Sequence, residues 1–179
     1  FLFKIGEAFL GRMSVIFYKE MGFSKTDIGI YSKGLGWITT VVFTLIGGIL
    51  TIRAGVIKAV FIAGIFMAAT NILFSLLAWA GKDYGIFAIA VILDDIAAAF
   101  ATVAFVAFIS LLVDRNYTAT QYALLASIGT AGRTTLASSS GSLVDYLNGD
   151  WGMFFVITAL MVIPSLILLF YLKNKISIK

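Results

Sequence analysis

The chain has 179 residues, of which 61% are hydrophobic and 12% are charged. Soluble domains carry about 25% charged residues, so this chain has too few charges to cover a water-facing surface, and its mean hydropathy of +1.04 is typical of a membrane protein. It contains no histidine and no cysteine, which excludes disulfides, Cys/His zinc sites and the Ser–His pairing of most hydrolases. The formal charge of +4 does not indicate nucleic-acid binding, because the basic residues are spread along the chain.

Apolar segments of membrane-spanning length recur along the whole chain. About 20 helical residues cross the hydrocarbon core of a bilayer, which is roughly 30 Å thick. The sequence therefore predicts an all-α membrane protein, with a single transmembrane domain of six helices over residues 1–179. The predicted spans are about 1–18, 28–52, 58–80, 84–113, 119–146 and 151–172.

The first predicted span opens with Phe1 inside an apolar stretch, so we interpret the chain as part of a longer polypeptide. Lys4 and Glu7 stand three positions apart, which allows them to pair along one helix face. Lys4 and Arg12 lie near the ends of the span, and we expect both to extend to the lipid headgroups.

Local signals mark the second and the last predicted spans. Ser24 is followed three residues later by Asp27, a variant of the capping box that begins a helix. Lys33 lies near the outer end of the second span, where snorkelling to the headgroups and a position inside the bundle are both open. Pro164 interrupts the last span and predicts a kink of the kind that membrane bundles tolerate.

The basic residues divide unevenly between the two ends of the spans. One end carries basic side chains with few acids, namely Arg53, Lys58, Arg115, Lys173, Lys175 and Lys179. The opposite end mixes both signs, with Lys19, Lys25, Lys82, Glu20, Asp27, Asp83 and Asp150. The positive-inside rule places the first end in the cytoplasm. With six spans, both termini are then expected in the cytoplasm.

Asp94, Asp95 and Arg133 lie deepest among the charged residues of the predicted spans. A charge at that depth costs about 2.5–3.5 kcal/mol, so it usually faces a bundle interior or a watery path. Adjacent helical residues differ by about 100° in direction, so the two aspartates cannot share one. Two nearby carboxylates favour protonation of one of them, as a proton-coupled carrier requires. Arg133 is alternatively a structural ion pair for one aspartate, and the sequence leaves this choice open.

An intramembrane enzyme is an alternative from another class. The run 138–141, Ser-Ser-Ser-Gly, resembles a nucleophile site, but a serine nucleophile needs a base. The chain has no histidine, and no lysine lies on the same predicted helix, so we interpret these serines as helix-packing residues. A channel and a non-transporting sensor remain two further alternatives.

The turn between the second and third spans carries a recognisable motif. Residues 48–58, G-I-L-T-I-R-A-G-V-I-K, resemble the G-x-L-x-D-R-x-G-R-R loop of the major facilitator superfamily. Ile52 stands where that motif has aspartate, so this copy is degenerate. In that superfamily the turn recurs in each six-helix half, and a degenerate copy favours the C-terminal half.

Four further segments resemble one branch of that superfamily, the AmpG-like anhydromuropeptide permeases. In chain order they are K-I-G-E-A-F-L-G at 4–11, G-F-S-K-T-D-I-G at 22–29 followed by Lys33, D-D through T-V-A-F-V-A-F at 94–108, and Y-T-A-T-Q-Y-A-L-L with G-R at 117–133. This chain departs from the family pattern at Asp95, at the pair 98–99 and at the pair 137–138. These positions lie at the centre of the predicted bundle, where they affect which substrate is carried.

The resemblance implies the C-terminal half of a facilitator fold and a proton-driven permease that imports cell-wall breakdown products. The expected partners are an N-terminal six-helix half, the lipid bilayer of a bacterial inner membrane, protons and a small glycopeptide, with no nucleic acid, cofactor or metal. The expected substrate and proton pathway comprises Asp94, Asp95, Arg133, Glu7 and Lys33, and the expected gate and cytoplasmic loop comprise Gln121 and Arg53. Gln121 is alternatively a satisfied polar group at a helix end. A carrier of another acidic solute, such as an acyl-CoA compound, is the alternative substrate class.

Overall fold

The computed structural model describes residues 2–113 and 118–175, and within these ranges the regular structure is helical, with no strand. The all-α prediction is therefore confirmed for the described residues. The elements are a 3₁₀ turn Leu2–Lys4, α1 Ile5–Glu20, α2 Lys25–Ile28, a π-helical segment Gly29–Leu35, α3 Gly36–Ala54, α4 Val56–Ala80, α5 Tyr84–Leu112, α6 Thr118–Ala137, α7 Ser140–Tyr146, α8 Trp151–Leu160 and α9 Ile163–Lys175. The predicted cytoplasmic turn at 114–117 and the tail at 176–179 lie outside the described residues.

Four helical segments of the described chain are long and apolar enough to cross a membrane. They are Lys25–Ala54, Val56–Ala80, Tyr84–Leu112 and Trp151–Tyr171, which correspond to the second, third, fourth and sixth predicted spans. The first predicted span is the helix α1, only 16 residues long, and the fifth is α6 followed by α7. The structure thus supports a multi-pass membrane protein, and the count of six spans stays a prediction.

The predicted span 119–146 is not one helix, because it breaks between α6 and α7 at a run of three serines. The hydroxyls of Ser138, Ser139 and Ser140 each donate to the carbonyl three residues earlier, at 2.6, 2.7 and 2.7 Å. Such local bonds compete with the regular helical pattern. They also occupy the hydroxyl protons, which agrees with serines in a structural role.

Pro164 interrupts the last span as predicted. α8 ends at Leu160 and α9 begins at Ile163, because proline has no N–H to continue the helical pattern. The Val162 carbonyl accepts hydrogen bonds from the Ser165 and Leu166 N–H groups at 3.1 and 3.2 Å. The Val162 carbonyl therefore finds its partners within the bend.

The two ends of the bundle are packed with different residues. The end that holds the turns at 21–24, 81–83 and 147–150 contains a cluster of rings, which we call the aromatic end: Phe17, Tyr18, Phe23, Phe74, Phe87, Trp151, Phe154 and Phe155. The opposite end is packed with small side chains and a few larger ones, and we call it the alanine end: Ala59, Ala63, Ala97, Ala101, Ala104, Phe3, Val60, Met67 and Leu169. Small residues allow helices to approach closely in lipid.

Polar bonds connect the turns at the aromatic end. Lys82 Nζ donates to the Gly22 carbonyl at 2.7 Å, and Trp151 Nε1 donates to Glu20 Oε2 at 2.7 Å. These bonds join three turns that are far apart in the sequence. The aromatic end is therefore held together both by ring packing and by hydrogen bonds.

The predicted capping box is present. The Asp27 N–H donates to Ser24 Oγ at 3.1 Å, and the Ser24 N–H donates to Asp27 Oδ2 at 3.0 Å. Asp83 and Asp150 cap α5 and α8 with their side chains, each accepting from an N–H three residues later at 2.9 and 3.0 Å. These caps satisfy N–H groups that a helix start leaves without partners.

Candidate functional site

Lys4 forms an ion pair with Glu7 on α1 and a hydrogen bond to α5. The residue is only 7% exposed, and its Nζ lies 3.0 Å from Glu7 Oε2. Nζ also donates to Glu7 Oε1 at 3.2 Å and to Thr102 Oγ1 on α5 at 2.8 Å. The predicted pairing of Lys4 with Glu7 is confirmed. The expectation that Lys4 reaches the headgroups is wrong, because Glu7 and Thr102 hold the ammonium inside the bundle.

Asp94 faces α4 near the middle of α5. Its Oδ1 lies 3.1 Å from Thr70 Oγ1, and the Thr70 side chain is only 1% exposed. The Thr70 hydroxyl also lies 2.9 Å from the Met67 carbonyl. A hydroxyl has a single proton to donate, so Thr70 cannot donate fully to both oxygens.

Asp95 faces α3 instead. A Cβ atom added to Gly36, at the start of α3, would lie 2.6 Å from Asp95 Oδ2, so glycine leaves the space that the carboxylate occupies. The prediction that the two aspartates point in different directions is confirmed by these contacts.

Arg133 on α6 is half-buried and lines two neighbouring clefts. The first cleft, of about 170 Å³, lies between α1, α5 and α6, and its polar lining includes Lys4, Thr102, Tyr122 and Arg133. The second cleft, of about 300 Å³, lies between α1 and α6 and includes Glu7, Arg12 and Arg133. Within residues 2–113 and 118–175, no ion pair joins Arg133 to Asp94 or Asp95. The ion-pair alternative for Arg133 is therefore not observed there.

Arg53 and Gln121 are not among the residues that line these clefts. Arg53 is exposed in the last turn of α3, and Gln121 is half-buried in the first turn of α6. The backbone of Lys33 belongs to the π-helical segment Gly29–Leu35, and the predicted role of its side chain lies outside the described residues. Short π-helical segments often occur at functional sites, and the sequence did not predict this one.

The site also contains residues that the sequence did not indicate. Thr70 and Thr102 are the hydroxyl partners of Asp94 and Lys4, and Tyr122 lines the first cleft. Threonines in apolar helices usually bond to their own backbone, so residue type alone does not reveal such partners. Thr102 does follow Asp95 by seven residues, which places it on the same helix face.

Together, these observations define a helical membrane protein with charged residues gathered inside its bundle, which is typical of a transporter. No family model matches the chain. Its homologues are AmpG-like permeases. It is 35% identical over 176 residues to a putative transporter AmpG 4 of Rickettsia conorii, 31% over 177 to the anhydromuropeptide permease of Escherichia coli K12, and 31% over 176 to a putative transporter AmpG 1 of Rickettsia prowazekii.

Each of these alignments covers 98% of the chain but only 42%, 36% and 39% of the respective relative. The chain thus spans about two fifths of the length of the curated relatives that it matches. The resemblance to AmpG-like permeases is confirmed. The relatives are named as transporters and permeases, which agrees with the prediction that this chain is not an enzyme.

Proposed function

We propose that residues 1–179 form the C-terminal six-helix half of a major-facilitator permease that imports anhydromuropeptides with protons for cell-wall recycling. The observation that carries this proposal is the alignment of 98% of the chain with the E. coli anhydromuropeptide permease. The ion pair of Lys4 with Glu7 and the contact of Asp94 with Thr70 inside the bundle support it, because membrane helices retain charged residues where ions or solutes move.

Asp94 is the proposed proton carrier. If Thr70 donates its single hydroxyl proton to the Met67 carbonyl, the 3.1 Å contact between Thr70 and Asp94 needs a proton on the Asp94 carboxyl group. If Asp94 loses that proton, Thr70 must turn its hydroxyl toward the carboxylate. The Thr70 hydroxyl therefore accommodates both protonation states of Asp94.

The remaining site residues have proposed supporting roles. Asp95 is the second acid, and its contact with Gly36 couples it to the start of α3. Arg133 is a counter-ion or a ligand for a substrate carboxylate, and Glu7 with Lys33 lines the rim of the cavity. Arg53 belongs to the cytoplasmic loop, and Gln121 lies at the gate.

The proposed partner of this bundle is an N-terminal six-helix half that forms the other wall of the cavity. Two helices support such a partner. α3 exposes large apolar side chains, with Trp37 65% and Leu45 68% exposed, and α6 exposes polar positions such as Thr130 and Thr134. In transporters of this architecture, the substrate lies near the bilayer midplane between two repeats. The proposed location is the bacterial inner membrane with both termini in the cytoplasm.

The test is uptake of labelled GlcNAc-anhydroMurNAc by the full-length protein in right-side-out vesicles from cells that lack their own permease. We expect accumulation above the external concentration, and we expect a protonophore to abolish it. An inserted protein that shows no uptake would refute the proposed substrate and direct the search to other acidic solutes, beginning with acyl-CoA compounds.

Two variants test the proton role. Asp94→Asn should abolish accumulation while leaving exchange of labelled for unlabelled substrate intact, because exchange needs no net proton movement. Asp145→Asn, at an exposed position on α7, is the matched control and should accumulate substrate normally. Proton-dependent transport that survives in the double variant Asp94→Asn/Asp95→Asn would eliminate both aspartates as proton carriers.

A further inference from the structure

The first cleft combines two cations with aromatic walls. Lys4 on the α1 side and Arg133 on α6 line the same space of about 170 Å³, together with Thr102, Phe105 and Tyr122. A carboxylate shares its charge over two oxygens, and a lysine with an arginine can hold both of them. The aromatic side chains offer apolar surface beside that polar pair.

The charges at the first cleft do not balance. Lys4 and Arg133 line this cleft, and no acid is among the described residues that line it. Glu7, which pairs with Lys4, supplies one negative charge against these two positive charges, which leaves an excess of one positive charge. Burial penalises uncompensated charge, so an anionic group that entered the first cleft would be stabilised.

The N–H donors of Lys4 and Arg133 differ in how far they are occupied by acids of the chain. An ammonium has three donors, and Lys4 directs its donors to Glu7 and Thr102. Arg133 has five N–H donors, and it forms no ion pair within residues 2–113 and 118–175. Arg133 is therefore available for an acidic ligand, whereas Lys4 is held by an acid of the chain itself.

We propose that the first cleft binds a carboxylate of the transported solute between Lys4 and Arg133, and that Glu7 occupies Lys4 while the cleft is empty. This inference rests on the proposed function and adds to it the chemical group that is recognised. The solute carboxylate competes with Glu7 for the Lys4 ammonium. The site therefore accepts an acid and discriminates against the corresponding amide.

Glu7 sets the affinity of the site in this scheme. Glu7→Gln keeps the shape of the side chain but removes its charge, so it should bind a carboxylate more tightly than the unmodified protein does. Arg133→Gln should bind the carboxylate more weakly and leave the buried Lys4–Glu7 pair intact. Lys4→Met/Glu7→Gln removes both buried charges together, so no buried charge is left without a partner.

The test measures equilibrium binding of labelled GlcNAc-anhydroMurNAc and of its carboxamide to the purified full-length protein in detergent. A hydrogen bond to a charged group is worth about 1.5–3 kcal/mol, which corresponds to a change of roughly 10- to 150-fold in Kd. We expect the unmodified protein to prefer the acid by at least about 10-fold, and Arg133→Gln to lose that preference. Arg12→Gln, which changes an exposed residue of the second cleft, is the control and should keep the preference.

The outcomes separate this inference from the proposed function. Equal binding of the acid and the amide, or a preference that survives in both Arg133→Gln and Lys4→Met/Glu7→Gln, overturns the carboxylate site even if vesicle uptake is normal. A preference for the acid that Arg133→Gln removes supports the site, even if uptake shows no dependence on protons. A protein that binds neither compound overturns the site and the proposed substrate together.

Discussion

The aromatic end and the alanine end of this bundle differ in how they are held together. At the aromatic end, large rings interlock, and the side chains of Lys82 and Trp151 join turns that are distant in the sequence. At the alanine end, small side chains bring the helix backbones together, and the first cleft, which contains Lys4 and Arg133, lies between α1, α5 and α6. The difference indicates that the interlocked rings and the first cleft lie toward different ends of the same helices.

Removal of a ring from the aromatic end should have the largest effect on stability. Phe17 is fully buried and packs edge-on against Phe155 with ring centroids 4.8 Å apart. Phe17→Ala should lower the free energy of unfolding by about 3–5 kcal/mol, because the neighbouring rings cannot fill the cavity. Equilibrium unfolding in detergent micelles measures the change.

The control for that variant is Phe170→Ala on α9, where the ring is 62% exposed. Its effect should stay within about 0.5 kcal/mol, as expected for a surface substitution. Equal destabilisation by Phe17→Ala and Phe170→Ala would show that the ring packing of the aromatic end does not stabilise the protein.

A methyl group added to α1 should separate a packed face from a cleft face on the same helix. A Cβ at Gly6 would lie 2.8 Å from the backbone carbonyl oxygen of Thr158 on α8, whereas a Cβ at Gly11 would meet nothing within 4 Å. Gly6→Ala should destabilise the protein by about 1–3 kcal/mol, because the two backbones must move apart. Gly11→Ala should leave stability unchanged or raise it by up to about 1 kcal/mol, since alanine favours helix.

Thermal unfolding of both variants in the same detergent distinguishes these effects. A Gly6→Ala protein as stable as the Gly11→Ala protein would show that α1 does not pack closely against α8.

Loss of the capping box should have a smaller effect at the start of α2. Ser24→Ala removes the oxygen that accepts from the Asp27 N–H, which should cost about 1 kcal/mol. Unfolding in micelles measures the loss, and Ser24→Thr is the matched control because threonine retains the accepting oxygen. If Ser24→Ala and Ser24→Thr are equally stable, the cap contributes nothing to this fold.

The smallest expected effect comes from Lys82 at the exposed turn of the aromatic end. Lys82→Met removes its bond to the Gly22 carbonyl and its cationic contact with the Tyr84 ring, 5.3 Å from the centroid. The loss should be about 0.5–1 kcal/mol, because the site is exposed to solvent. Lys58→Met, at an exposed position near the start of α4, should change stability by less than that. An equal loss in both variants would show that the turn at Lys82 is not tied to the turn at Gly22.

Local signals in the sequence predicted several features of the fold. The capping box of Ser24 and Asp27, the pairing of Lys4 with Glu7 and the interruption at Pro164 all depend on residues within four positions of each other. Helix geometry alone fixes which of these groups can meet. For the same reason, the different directions of Asp94 and Asp95 followed from their adjacency.

Contacts between helices decided the rest of the site. Lys4 was expected at the headgroups, but Thr102, which is 98 positions away in sequence, holds it inside. Thr70 contacts Asp94 because α4 packs against α5 at that depth. Arg133 lines two clefts because α6 lies beside α1.

Composition and hydropathy alone were enough to identify an all-α membrane protein, since a lipid environment leaves few ways to satisfy the backbone. They also identified the charged residues that lie within the predicted spans, because charged residues stand out in an apolar helix. The partner of each charge depends on the rotation and depth of one helix relative to another. Those quantities are set by the packing of side chains from distant segments, so only the tertiary structure determined them.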